Sequence, residues 1–452
     1  MKITQRLALS LQSIRNLFVG DNLRHRAMRA SLWSISGHLT NQVIRLGSNL
    51  ILTRILFPEA FGIMAIVQAV LIGVALLTDV GIEPAIIRSK RGNDPIFLNT
   101  AWTIQVIQGG LIWLLVCLLS PVLADAYTQP MLSSLLPVAG FGAVLGGLAS
   151  TKLAVASRVL SIKTRVIVEV GAYALGVLAT IVLAWTSKSI WSLVWGSLIG
   201  ASAKTLASHL MTAGPKNKFQ WDQDSIKALF SFGQWVVVSS ALTFLAGEGN
   251  KLLLGAFLGV KLLAIYNLAS NMSLVFWQIA QQLSSRVLYP AYSELVRDRP
   301  ERLRAVAARS RLALIIPSWL ISVFFVFWGD QIMSFLYDQR YAESGPILQT
   351  LAMGSLVGIV GGSYNGLLWA KGLVRTSTVL LGFQIAIQVV GIFIGHHFGG
   401  ENGVILSVAF ASWLHYPIQA FAHAKIGLWH PWIDFPIIVA SMLVVWVAYS
   451  KV

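Results

Sequence analysis

One kind of stretch recurs along this chain and restricts its fold more than anything else. Thirteen predominantly apolar runs, none shorter than nineteen residues, are separated by short polar breaks. They cover about 30–56, 60–87, 97–119, 131–155, 165–185, 190–212, 226–258, 262–288, 306–328, 345–370, 376–398, 403–424 and 432–450. Roughly twenty helical residues, rising about 1.5 Å each, cross the hydrocarbon of a bilayer. The runs are far longer than barrel strands of about ten residues, and an open sheet cannot leave its edges unpaired in lipid. With 56% hydrophobic and only 12% charged residues, a soluble fold would expose too much apolar surface. The prediction is an all-α integral membrane protein of about 12–14 transmembrane helices.

The net charge of +16 invites a nucleic-acid reading, but the basic residues follow topology instead. With the N-terminus placed in the cytoplasm, 27 of the 34 Lys and Arg fall at inside loops and ends, six fall outside, and Arg45 lies within a span. That bias fixes a cytoplasmic N-terminus and excludes nucleic acid as a partner. A single cysteine, Cys117, excludes an internal disulfide. Residues 1–29 show no cleavable signal peptide; Ile3, Leu7, Leu11, Ile14 and Phe18 form a stripe beside Lys2, Arg6 and Arg15, which predicts a basic helix lying on the membrane surface.

The polar break GPKNKFQWDQDS, residues 214–225, reads as a cytoplasmic linker between two six-helix lobes, 30–213 and 226–424, with residues 425–452 as an additional helix. Sliding the chain by about 202 residues places Pro58 over Val260, Arg45 over Gly247 and Asn49 over Lys251. Identity is weak, so the repeat rests on matched hydropathy, a known transporter plan. The lobes are expected to be pseudo-symmetric.

Ser34, His38, Gln42, Arg45, Asn49 and Thr53 recur at spacings of three and four and share one helix face in the first span. A charge at mid-span costs about 2.5–3.5 kcal/mol on insertion scales, so this face is expected to meet protein or water. It is read as lining a hydrophilic cavity for an anionic substrate. In the seventh span Glu248 and Lys251 lie three apart on one face; Lys251 is assigned to substrate binding and Glu248 to coupling. The eighth span carries Asn267, Asn271, Gln278, Gln281 and Ser285, neutral groups suited to sugar hydroxyls. Asp79 and Glu83 are expected to end the second span and to gate the cavity by pairing with Arg88 or Arg286. The basic run 284–311 is placed to attract a pyrophosphate headgroup. No phosphate-binding GxxxxGK[ST] loop, HExxH or nucleophile elbow occurs, and His396, His397 and Glu401 make a poor metal set. The chain is therefore read as a non-enzyme without a cofactor or metal, with H⁺ or Na⁺ coupling left open.

Four motifs then carry a resemblance: LTRILFPEAFGIMAI (52–66), TDVGIEPAII (78–87), RVLYPAYSEL (286–295) and FGGENGVILSVAFASW (398–413). In this order and spacing the chain, from about residue 30 onward, resembles the polysaccharide transporter family of bacterial flippases. That family shares a superfamily with multidrug and toxic-compound extrusion proteins and the lipid II flippase. The resemblance implies two six-helix lobes, a central cationic cavity and alternating access. It further implies an undecaprenyl-pyrophosphate-linked oligosaccharide as substrate, moved from the inner to the outer leaflet of the bacterial cytoplasmic membrane. Membrane lipids and other polysaccharide-assembly proteins are the implied partners. Two alternatives stand beside it: an ion-coupled multidrug-type exporter, and a non-transport membrane component of glycan assembly.

Overall fold

The computed structural model describes residues 23–159, 161–212, 214, 216–230, 244, 247–284 and 288–450. Its described elements are helical, and the chain divides into two compact units. Eight helices among the described residues are long and apolar enough to cross a membrane, or nine if one bent pair forms a single span. The protein is a multi-pass, all-α membrane protein.

The first unit comprises residues through Leu56 and Val67–Phe244. It holds α1 (Leu23–Ile55), the later turns of α2 (Pro58–Leu77), α3 (Ile82–Arg88), α4 (Pro95–Ala126), α5 (Leu132–Gly147), α6 (Lys152–Arg158), α7 (Ile162–Ser187) and α8 (Trp191–Leu210). The 33-residue α1 is long enough to span but is not among the eight apolar helices, because its polar stripe dilutes it. The surface helix expected over residues 1–29 lies almost wholly outside the described residues; from Leu23 onward the chain already belongs to α1.

Two expected spans are broken. The run 60–87 stops at Leu77: Asp79 Oδ1 accepts from the Gly81 amide at 2.8 Å, and Gly81 takes φ 65°, a left-handed turn that only glycine adopts cheaply. The run 131–155 divides into α5 and α6, bent by 59°. That break frees carbonyls that lipid cannot satisfy. Gln105 Nε2 donates to Gly147 O and Ala149 O at 3.0 Å each, while Trp102 Nε1 at 3.3 Å and His209 Nε2 at 2.9 Å engage Leu148 O. Residues 216–222 are strapped to this unit. Asn217 Nδ2 donates to Thr151 Oγ1 at 2.8 Å, Gln220 N to Thr103 Oγ1 at 3.0 Å, and Phe219 packs on Trp102.

α7 and α8 meet through small residues. A Cβ at Gly196 would collide with the Thr180 hydroxyl, and one at Gly200 would lie 3.2 Å from Ala172 O. In lipid such stripes let backbones approach and gain van der Waals contact where no hydrophobic drive exists.

The second unit comprises Phe57–Ile66 and Leu245–Val452. It holds α9 (Glu248–Leu283), α10 (Tyr289–Asp298), α11 (Pro300–Leu336), a 3₁₀ turn at Gln339–Tyr341, α12 (Ser344–Gly362), α13 (Asn365–Ala370), α14 (Val374–Lys425) and α15 (Pro431–Tyr449). α9 breaks at Gly259 (φ 68°) and α14 at Gly400 (φ 54°). Across Gly400 the chain folds back. A Cβ at Gly391 would lie 3.4 Å from the Ser407 side chain, whereas sixteen residues of straight helix span about 24 Å. α14 is thus two antiparallel arms, each long enough to span.

Candidate functional site

On α1 the structure separates satisfied from unsatisfied polar groups. Thr53 Oγ1 bonds back to Asn49 O at 2.7 Å, and Ser48 Oγ to Arg45 O at 3.0 Å, so these hydroxyls are satisfied within their own helix. His38 Nε2, Asn41 Oδ1 and Arg45 Nη2 are buried, with no hydrogen-bond partner among the described residues. At spacings of three and four they share one side of α1. Gln42, Arg45 and Asn49 are half-buried beside them, and Arg45 lies within electrostatic reach of Tyr173 on α7. Asn41 escaped the sequence reading, although it lies three residues from His38 on the same face.

In the second unit Lys251 Nζ donates to Glu248 Oε1 at 2.9 Å and Oε2 at 3.0 Å. Farther along α9, Asn271 is exposed and Gln278 half-buried. Of the residues expected to gate, Glu83 pairs with Arg165 of α7, which also bonds Glu169 at 2.9 Å, and Asp79 Oδ1 accepts from the Gly81 amide. Arg158 Nη1 closes the C-terminus of α3, donating to Ile86 O at 2.9 Å and Ile87 O at 2.8 Å. Arg286 lies outside the described residues.

The second unit also encloses a cavity of about 410 Å³, between the later arm of α9, α11, α12, α13 and both arms of α14. Its wall carries Ser273, Gln281, Ser355, Asn365, Gln384 and Gln419, together with Trp277 and Trp369. None of the described residues lining it is Asp, Glu, Lys or Arg. Among the described residues of the expected eighth-span stripe, Gln281 reaches this wall, whereas Asn271 and Gln278 do not line it; Ser285 lies outside the described residues.

Beside the cavity lies an ionic core that the sequence reading missed. Arg311, counted there as a loop cation, is fully buried on α11. Its Nη2 donates to Asp434 Oδ1 at 2.7 Å and its Nε to Ser363 Oγ at 2.9 Å, and the guanidinium lies 3.5 Å from the Tyr364 ring centroid. The hydroxyls of Tyr364 and Tyr416 donate to Asp434 Oδ2 at 2.7 and 2.8 Å. The His430 amide donates to Tyr364 Oη at 3.0 Å, and His430 Nε2 contacts Arg304 O at 3.1 Å. Burial, with Arg311 and Arg304 nearby, pushes the His430 imidazole below its ordinary value, and the Arg304 contact opposes that shift. The signal for this cluster was a carboxylate, Asp434, inside the last apolar run.

Comparison with known proteins adds to this geometry. Residues 51–346 match the model of a family described as polysaccharide biosynthesis protein. The lipopolysaccharide biosynthesis protein WzxC of Escherichia coli (strain K12) is 22% identical over 433 residues, 93% of this chain and 88% of WzxC. Two solved structures share the fold. One is the inward-facing conformation of a multidrug resistance MATE family transporter of the MOP superfamily, with TM-score 0.68, 13% identity, and coverage of 86% of this chain and 94% of that one. The other is the lipid II flippase MurJ in an inward closed conformation, with TM-score 0.67, 13% identity, and coverage of 93% and 92%.

Proposed function

This chain belongs to the polysaccharide biosynthesis protein family, and on that premise we propose that it is a flippase for a lipid-linked oligosaccharide. The substrate is a glycan on an undecaprenyl pyrophosphate carrier, moved from the inner to the outer leaflet of the bacterial cytoplasmic membrane. The N-terminus is cytoplasmic, and the two units alternate access to the two sides. A charged, hydroxyl-rich headgroup cannot cross hydrocarbon unaided, because its polar groups lose their hydrogen bonds there. A protein that replaces water for the headgroup, and leaves the lipid tail in the bilayer, removes that barrier.

The observation that carries this reading is the side of α1 where His38, Asn41 and Arg45 hold buried polar atoms without partners. A membrane helix keeps such groups only where water or a polar substrate meets them. Arg45 supplies a cation for the pyrophosphate, with Gln42 and Asn49 as further contacts on α1; Lys251 is assigned to substrate binding within the second unit. Glu248, held by Lys251, is the group for H⁺ or Na⁺ coupling. The fold likeness to a flippase named for lipid II supports the same class of cargo.

The test is depletion of the protein in its host, followed by leaflet-resolved analysis of lipid-linked oligosaccharides. Accumulation of a glycosylated undecaprenyl pyrophosphate on the cytoplasmic leaflet is expected. Undiminished export with no accumulated intermediate overturns the reading.

A further inference from the structure

We propose that the cavity enclosed by the second unit is a binding subsite for a neutral sugar residue of the transported glycan. The inference rests on the flippase reading and adds to it a second recognition point, built wholly from residues of the second unit.

The chemistry of the wall excludes the other parts of the substrate. A pyrophosphate needs cations, and none of the described lining residues is Lys or Arg. A cationic drug needs a carboxylate, and none of the described lining residues is Asp or Glu. The polyprenyl tail needs no hydrogen bonds, and this wall, although Leu274, Ile321 and Leu380 also line it, carries hydroxyls and amides from Ser273, Ser355, Asn365, Ser377, Gln384 and Gln419 that a tail would leave unmet. Such groups donate and accept without charge, which is what sugar hydroxyls require. Trp277 and Trp369 add flat apolar surfaces that suit the C–H faces of a pyranose. The volume, about 410 Å³, falls within the range of roughly 300–1,000 Å³ of small-ligand sites.

Two details show that the cavity is built. His415 is only 3% exposed; its ring is engaged by the Leu380 backbone, and its Nε2 has no hydrogen-bond partner among the described residues. His415 is also a lining residue, so this buried ring fixes part of the wall. The α12 wall is shaved by glycine. A Cβ at Gly358 would lie 3.1 Å from Ser412 Oγ, and Cβ atoms at Gly361 and Gly362 would collide with the Gln419 amide and the Trp277 ring. Glycine at these three positions is what lets the polar wall and its tryptophan stand where they do.

The experiment uses full-length protein in lipid nanodiscs. The probe is the oligosaccharide released by mild acid from the host's own polyprenyl-pyrophosphate pool. Saturation-transfer NMR should report binding to sugar ring protons in the millimolar range, about 1–10 mM. Undecaprenyl pyrophosphate without sugar should not displace it. Ser412→Trp fills the cavity from the wall facing Gly358, and Gln384→Leu removes an amide while keeping volume. Each should weaken binding by about tenfold or more. A thermal melt checks each variant, and if Ser412→Trp does not fold, Gln384→Leu decides. Absence of saturation transfer, or undiminished binding by a folded Gln384→Leu protein, overturns the subsite. Failure of the export test with oligosaccharide binding intact removes the flippase reading and leaves a sugar site. Success of the export test with no oligosaccharide binding removes only the subsite.

Discussion

Arg311 and Asp434 meet at 2.7 Å inside the second unit, with side-chain exposures of 0% and 1%. Each is held by more than the other. Ser363 and the Tyr364 ring hold the guanidinium, and two tyrosine hydroxyls hold the carboxylate. Removing one partner strands a buried charge, which costs roughly 3–5 kcal/mol. Arg311→Met and Asp434→Leu should each lower the melting temperature sharply and cut membrane yield. The double variant should recover only part of the loss, because the Tyr364 and Tyr416 hydroxyls keep no acceptor. Arg311→Lys should not rescue, since one ammonium cannot reproduce the planar contacts. Melts of the four proteins that coincide with wild type would show that the pair is incidental.

Arg45 is predicted to matter for export and not for assembly. Its Nη2 makes no hydrogen bond among the described residues, so Arg45→Ala deletes little that the fold uses. The variant should reach the membrane at wild-type abundance and lose export of the lipid-linked glycan. Normal export by Arg45→Ala would remove the residue from the mechanism.

How much of this was legible in the sequence depends on how far apart the partners lie. Some local chemistry was available and not used: Asp94 followed by Pro95 starts α4 just ahead of the run placed at 97–119, with Asp94 Oδ1 accepting from the Ile96 amide at 3.0 Å. The polar face of α1 follows from spacing alone. The ionic core did not read, because Arg311 is the last residue of a basic run that the inside-positive rule assigns wholesale to a loop. Its partner comes 123 residues later. The cavity wall is likewise assembled from five separated segments, each of which looks like an ordinary span. The break after Leu77 was hidden by hydropathy, since the turn at Asp79–Gly81 is flanked by apolar residues on both sides.

Acid should weaken the second unit through His430. This imidazole has Arg304, Arg311, Asp434, Tyr364 and Trp432 around it, and its folded value lies below the ordinary 6.5. A histidine whose folded value is depressed binds its proton better when unfolded. Its contribution is therefore complete above pH of about 6.5 and declines as pH falls through the folded value. Melting temperature should drop between about pH 7.5 and 5.5, and His430→Gln should flatten part of that slope. An unchanged slope in His430→Gln would assign the acid response to other groups.

Glu248 separates coupling from folding. Its bond to Lys251 is 2.9 Å, but the lysine is 43% exposed, so the pair contributes at most about 1 kcal/mol. Glu248→Gln should keep abundance and melting close to wild type while export falls and its dependence on the proton or sodium gradient changes. Equal losses of abundance and export would make the pair a packing element.

Two glycines in the same helix pair give a control on the fold itself. Gly196 of α8 faces Thr180 of α7 so closely that any Cβ collides, whereas a Cβ at Gly171 of α7 meets nothing within 4 Å. Extra methylenes forced into a packed site cost about 1–3 kcal/mol, and more where backbones must part. Gly196→Leu should separate α7 from α8, lower melting and reduce yield. Gly171→Leu should be nearly neutral, or slightly stabilising, since leucine favours helix over glycine by up to about 1 kcal/mol. Both variants add the same side chain to one helix of this pair, so the residue type cannot explain a difference between them. Equal tolerance would mean that α7 and α8 do not pack through this small-residue face, and the close approach described for the first unit would have to be abandoned.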